Sequence, residues 1–353
     1  MKKHFHNKPF ITETGAVLPS IEIAYHTWGT MNENGDNVIW ICHALTANSD
    51  VEAWWPGMVG KDLLFDTGKY YIVCANVLGS CYGTTGPASV NPATGKKWLR
   101  DFPEITIRDL VNVHEILRKH LGILSIHSII GASIGGFQAL EYSIMYPDLI
   151  KQLIFIASSA KQSPWAIAFS QSQRLAMEAD QSFISNDPDG GKMGLKAARS
   201  IALLSYRNAA AYNSTQAEKE EDKISSFRAA SYQNYQGDKL VLRFDPYSYY
   251  CIVNLSDTHN TGRDRGGVRK ALGAIKARTL CIGITSDILF PVEEQKLVAE
   301  NVNGGKYIEI DSFYGHDGFL IECDKITRIV REFWDRKPLI PKELNLQETK
   351  TKN

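Results

Sequence analysis

Apolar residues along this chain follow two rhythms. One is a set of short unbroken runs: Val38-Ile39-Trp40-Ile41-Cys42, Tyr70-Tyr71-Ile72-Val73-Cys74, Ile126 to Ile130, Leu153-Ile154-Phe155-Ile156, Leu280-Cys281-Ile282-Gly283-Ile284 and Tyr307-Ile308-Glu309-Ile310. Continuous rather than alternating hydrophobicity suits strands covered on both faces, as in a parallel sheet between helical layers. The other rhythm is a spacing of three and four. Between Thr106 and His120 it brings Ile107, Leu110, Val111, His114 and Leu117 onto one helical face. Phe290 to Val302 predicts another helix, with Pro291 near its start, where a missing N–H costs little. Strands alternating with helices predict a mostly parallel, doubly wound sheet.

The strand rhythm stops from about Ser159 to Lys270, where helical patterns take over, as in Phe169 to Ala179 and Leu195 to Tyr206. The charged stretch Gln216 to Lys223 reads as a solvated helix or loop. The expected plan is therefore a core from residues 1–158 and 271–337, with a helical insertion at 159–270. That insertion should lie over the C-terminal edge of the sheet, where such folds bind ligands. Residues 338–353 read as a polar, frayed tail.

Composition narrows the function classes. Lys plus Arg and Asp plus Glu each number 39 in 353 residues, so the formal net charge is zero. That removes the electrostatic case for a nucleic-acid or anionic-membrane partner. The basic start Met1-Lys2-Lys3 precedes no long apolar segment, and no run approaches a membrane span, so a cytoplasmic protein is expected. The six cysteines form no C-x-x-C pair and read as buried reduced thiols. Cys42-His43 lacks a second ligand pair at useful spacing, so no metal is expected.

Candidate chemistry begins at Gly131-Ala132-Ser133-Ile134-Gly135-Gly136, between the run ending at Ile130 and a helix-like stretch from Phe137 to Tyr146. A strand, Gly-x-Ser-x-Gly and a helix make the nucleophile elbow of an α/β-hydrolase fold. A serine hydroxyl is a poor nucleophile until a base takes its proton, and an acid must hold that base in one tautomer. The chain order in this fold is serine, acid, histidine. Asp287 follows the run ending at Ile284, and His316 follows the run ending at Ile310, so Ser133, Asp287 and His316 are expected at one sheet edge. His43 competes as base, but it stands where such folds place the oxyanion loop. It reads as a loop-shaping residue, with Leu45 and Ile134 supplying the oxyanion N–H groups.

Longer motifs reach beyond the fold. The run Asn76-Val77-Leu78-Gly79-Ser80-Cys81-Tyr82-Gly83-Thr84-Thr85-Gly86-Pro87-Ala88-Ser89-Val90-Asn91-Pro92 resembles the signature of homoserine O-acetyltransferases. So do Asp101-Phe102-Pro103-Glu104-Ile105-Thr106-Ile107-Arg108-Asp109, His43-Ala44-Leu45-Thr46, Ser205-Tyr206-Arg207, Tyr235-Gln236-Gly237, Arg243-Phe244-Asp245 and Gly315-His316-Asp317-Gly318-Phe319-Leu320-Ile321-Glu322. They spread over nearly the whole chain. Ser80, Ala132 and Phe137 depart from the residues usual in that family, and the segment around Gly190-Gly191-Lys192 looks short.

The resemblance implies an acyl-CoA-dependent transferase that makes O-acetyl-L-homoserine for methionine synthesis, with acetyl-CoA as co-substrate and no bound cofactor. It implies a helical lid that covers the serine and forms a homodimer contact. It also implies Arg199 on the amino acid's carboxylate, Tyr206 lining that pocket, and Asp317 facing the substrate ammonium. A guanidinium fork suits a carboxylate, and an acid suits an ammonium. The alternatives are a succinyl donor, a serine acceptor, or an esterase or thioesterase with water as acceptor. Sequence alone separates neither acetyl from succinyl nor homoserine from serine.

Overall fold

The computed structural model describes residues 1–336; the tail assigned to residues 338–353 lies outside them. Eight strands form one sheet: β1 (Lys2–His6), β2 (Ile21–Trp28), β3 (Val38–Cys42), β4 (Tyr71–Ala75), β5 (Ser128–Ala132), β6 (Gln152–Ile156), β7 (Arg278–Ile284) and β8 (Lys306–Ile310). Their spatial order is β1-β2-β4-β3-β5-β6-β7-β8. The pairs β1/β2 and β2/β4 are antiparallel, and every later pair is parallel. The six apolar runs supply the parallel part, which is the doubly wound sheet their hydrophobicity predicts.

Alternate side chains of these strands enter different layers, as the two-residue strand period requires. Trp40, Ile129, Leu153 and Phe155 join the layer holding Leu110, Leu117 and Phe137. Ile39, Ile41, Ile130, Ile154 and Ile282 face the opposite layer with Trp55, Ile326 and Phe333. With both faces covered, β3, β5 and β6 are buried at every position. Two boundaries moved from the sequence reading. The run from Ile126 becomes β5 only at Ser128, because Ile126 makes an isolated bridge to Ile150. The helix expected from Phe137 begins at Ile134, directly after the serine.

Between β6 and β7 the chain leaves the sheet through a run of helices that includes Pro164–Glu178, Lys192–Tyr206, Arg228–Val241 and Pro246–Asp257. Their starts are legible locally: Ser163 caps Ala166 N–H and Asp245 caps Ser248 N–H, each with proline at the first helical position. Residues 217–226 carry no helix or strand. Among the described residues no helix is long and apolar enough to cross a membrane.

Candidate active site

The elbow is held open by missing side chains. A Cβ on Gly131 would lie 2.1 Å from Gly135 O, and one on Gly135 would lie 2.2 Å from Cys42 O. Only glycine lets the Ile134–Met145 helix turn back so tightly on β5 and β3. Ser133 itself adopts φ 56°, ψ −130°. That backbone region strongly favours glycine, so the serine is held under strain of about 1–3 kcal/mol.

Three side chains from three strand ends meet here. Ser133 Oγ lies 2.9 Å from His316 Nε2, and His316 Nδ1 lies 2.6 Å from Asp287 Oδ2. A carboxylate can only accept, so Nδ1 carries the proton and Nε2 faces the serine as acceptor. Asp287 is itself fixed, because Oδ1 accepts Leu289 N–H at 2.8 Å and Phe290 N–H at 2.9 Å. Asp287 and His316 are both buried. Burial pulls the His316 pKa down, but the charge and hydrogen bond of Asp287 and the charge of Asp317 outweigh it, leaving it raised. The imidazole is thus tuned toward holding a proton.

His43 has no ring nitrogen left for proton transfer. Its Nε2 accepts Val77 N–H at 3.2 Å, and Nδ1 donates to Ala44 O at 2.9 Å. Burial lowers its pKa to about 4, so the ring stays neutral. Leu45 and Ile134 flank Ser133 in a narrow pocket of about 40 Å³, roofed by Ala166, Phe169, Tyr206 and Val253. Among the described residues neither Leu45 N–H nor Ile134 N–H has a backbone acceptor.

Arg199 and Tyr206 lie on the Lys192–Tyr206 helix, with the guanidinium 5.5 Å from the Tyr206 ring centre. That ring stands 5.7 Å from His316. Asp317 follows His316 and pairs through Oδ2 with Arg207 Nε at 3.1 Å, and it makes no helix-capping bond. Burial raises its pKa, with Arg207, His316 and Arg199 pulling the other way. In the sequence Arg207 stands only as the last residue of the Ser205-Tyr206-Arg207 motif. Nothing in its neighbours marks it as the partner of a carboxylate far along the chain. Asp311, directly after β8, accepts from the Thr285 hydroxyl at 3.1 Å and makes no bond to His316 among the described residues.

An elbow serine, a histidine and an acid at the strand tips of such a sheet place the protein among the α/β-hydrolase-fold proteins. Residues 37–322 match the family model of that fold. Within it, the chain belongs to the homoserine O-acetyltransferase family. The homoserine O-acetyltransferase of Cyclobacterium marinum is 44% identical over 322 residues, covering 91% of this chain and 92% of that protein. The crystal structure of homoserine O-acetyltransferase from Bacillus anthracis superposes with a TM-score of 0.88 at 24% identity, covering 95% of this chain and 98% of the other. Esterase E22 superposes almost as well, with a TM-score of 0.87 at 22% identity over 94% of this chain and 99% of its own. At those identities the likeness is one of fold, and the fold serves transferase and esterase alike.

Proposed function

We propose that this chain transfers the acetyl group of acetyl-CoA to the side-chain hydroxyl of L-homoserine, in methionine biosynthesis, through an acyl-Ser133 intermediate. The observation that carries this reading is the Ser133–His316–Asp287 chain of 2.9 and 2.6 Å standing beside the Arg199 guanidinium and Asp317. His316 Nε2 takes the Ser133 proton as Oγ attacks the thioester carbonyl. The tetrahedral oxyanion is held by Leu45 and Ile134 N–H groups. The C–S bond breaks, and coenzyme A leaves with the proton from His316. Homoserine then enters with its carboxylate on Arg199 and its ammonium toward Asp317. His316 deprotonates its hydroxyl, which attacks the acyl-serine and releases Ser133.

Two features favour this over its alternatives. The pocket over Ser133 is lined by Phe137, Phe169, Val253, Leu289 and Phe290, with glutamine and serine side chains but no lysine or arginine. A succinyl carboxylate would be desolvated there without a cation, which is costly. Second, Arg199 has no carboxylate in ion-pair range among the described residues. An esterase has no use for such a guanidinium, whereas an amino-acid acceptor supplies its carboxylate. The lid roof keeps water, the competing acceptor, away from the acyl-serine.

Arg199→Ala tests the acceptor directly. It should lower kcat/KM for homoserine about ten- to hundredfold, the cost of a charge-assisted contact, chiefly through KM. Hydrolysis of p-nitrophenyl acetate, which has no carboxylate to place, should be spared. Equal losses in both reactions would make Arg199 structural, and no loss would remove it from the acceptor site.

The working unit in this reading is a cytoplasmic homodimer joined through the lid. Leu175, Met193 and Leu204 are exposed on the lid helices, and Phe227 and Leu242 flank the Arg228–Val241 helix, apolar surface that a contact through the lid would cover. Sedimentation should report a dimer, and Met193→Glu with Leu204→Glu should give monomers. A wild-type monomer at micromolar concentration would contradict it.

A further inference from the structure

Behind the oxyanion loop runs a buried polar chain that the steps above leave unused. Gln138 lies one turn after Ile134 on the nucleophile helix and is fully buried. Its Nε2 donates to two backbone carbonyls, Ile134 O at 3.1 Å and His43 O at 3.2 Å. Its Oε1 accepts from His114 Nε2 at 3.0 Å. Chemistry sets the direction of this amide: carbonyls only accept, so the NH₂ end must face them and Oε1 must face the imidazole. His114 then carries its proton on Nε2. It is buried, with its pKa lowered to about 4, so the ring is neutral and the tautomer is fixed by Gln138.

The two carbonyls belong to the two segments that carry the oxyanion donors. Ile134 supplies one N–H itself, and His43 stands two residues before Leu45, which supplies the other. Among the described residues no other side-chain hydrogen bond joins the two segments, and Gly135 brings the helix backbone against Cys42 O. The link continues forward. His43 Nδ1–H holds Ala44 O, and that carbonyl shares a peptide plane with Leu45 N–H. Val77 N–H holds the other side of the same ring. Among the described residues His114 Nδ1 is the one atom of this network without a hydrogen-bond partner, and the bonds made by Gln138 tie together the two segments it joins.

We propose that Gln138, oriented by His114, is a positioning residue that keeps the Leu45 and Ile134 N–H groups in register for the oxyanion. The proposal rests on the oxyanion assignment made above. Donor pairs work only when held within about 0.5 Å of the productive geometry, so a staple across the two segments acts on the transition state and not on substrate binding.

The test compares full-length Gln138→Met, His114→Phe and His114→Gln with the unaltered enzyme. Two quantities are read: kcat and KM for p-nitrophenyl acetate and homoserine, and the pH at which the hemiketal formed by Ser133 with ¹³C-carbonyl-labelled trifluoroacetone ionises, followed by its NMR shift. Gln138→Met should lower kcat about ten- to hundredfold, short of the 10²–10³ for losing a donor outright. Both KM values should stay within about twofold, and the hemiketal should ionise about one pH unit higher or more, one unit being a tenfold change. His114→Phe should act in the same direction more weakly. His114→Gln, whose amide NH₂ can replace the ring N–H, should restore both readouts. If Gln138→Met does not fold, the two His114 variants carry the test. Unchanged kcat with unshifted ionisation overturns the proposal, and so does a fall in kcat with the hemiketal unshifted, which marks a structural role. Should the unaltered enzyme itself leave the hemiketal's ionisation unperturbed, the oxyanion assignment fails, and that outcome is distinct from failure of the staple.

Discussion

Ser133→Ala is expected to lower acetyl transfer about 10⁶-fold, the scale seen when a triad nucleophile is removed. Mass spectrometry of the unaltered enzyme incubated with acetyl-CoA alone should find one acetyl group on Ser133, and the variant should show none. Initial-rate lines at several homoserine concentrations should run parallel, as a covalent relay requires. Absence of the adduct after rapid quenching, together with intersecting lines, would replace the relay by direct transfer. The fold should survive, because alanine keeps the Cβ that already occupies φ 56°. The same backbone angle gives a second readout. Ser133→Gly should be equally inactive yet more stable than Ser133→Ala, since glycine relieves about 1–3 kcal/mol of strain, less the roughly 0.5–1 kcal/mol of entropy it costs. A lower melting temperature for Ser133→Gly would mean the angle is not strained.

How far the chain announces this site depends on whether each contact is local. The inner parallel strands were legible because burial on both faces writes itself as unbroken apolar runs, whereas β8 is a partly exposed edge whose run is interrupted by Glu309. The triad was legible because each member stands a few residues beyond such a run. The antiparallel strands β1 and β2 were missed. Lys2-Lys3-His4-Phe5-His6 is a mostly exposed sheet edge, polar except at Phe5, and its pairing is seen only in the register with Ile21 to Tyr25. In β2 the alternation of Ile21 and Ile23 with Glu22 was the available signal. Arg207 and Gln138 were missed for another reason. Each bonds to a partner distant in sequence: Asp317 for the first, His43 and His114 for the second. His114 read correctly as one of the inward positions of its helix, but helical spacing cannot say that an inward histidine meets an amide. Asp317 is the intermediate case. The sequence pointed to the residue as facing the substrate ammonium, while its pairing with Arg207 came only with the fold.

Asp287→Asn is expected to lower kcat about 10⁴-fold while leaving KM and fold nearly unchanged. The geometry says why an isostere fails. Leu289 and Phe290 N–H groups both point at Oδ1, and they need an acceptor there. Asparagine must therefore set its carbonyl oxygen at that position, which turns its NH₂ toward His316 Nδ1. An NH₂ group donates, so Nδ1 becomes the acceptor and the ring proton moves to Nε2. Facing Ser133 Oγ, that nitrogen can no longer take a proton. The pH profile should shift as well. His316 serves as base only when neutral, so activity falls as pH drops through its pKa. In the unaltered enzyme Asp287 opposes burial and keeps that pKa raised. Removing the charge leaves burial less opposed, the pKa falls, and the acid limb of kcat/KM for the residual activity should move to lower pH. A loss of less than roughly tenfold, or an acid limb that stays in place, would mean another carboxylate orients His316. Asp317, the next residue and a further contributor to the raised pKa, would then be the first to replace.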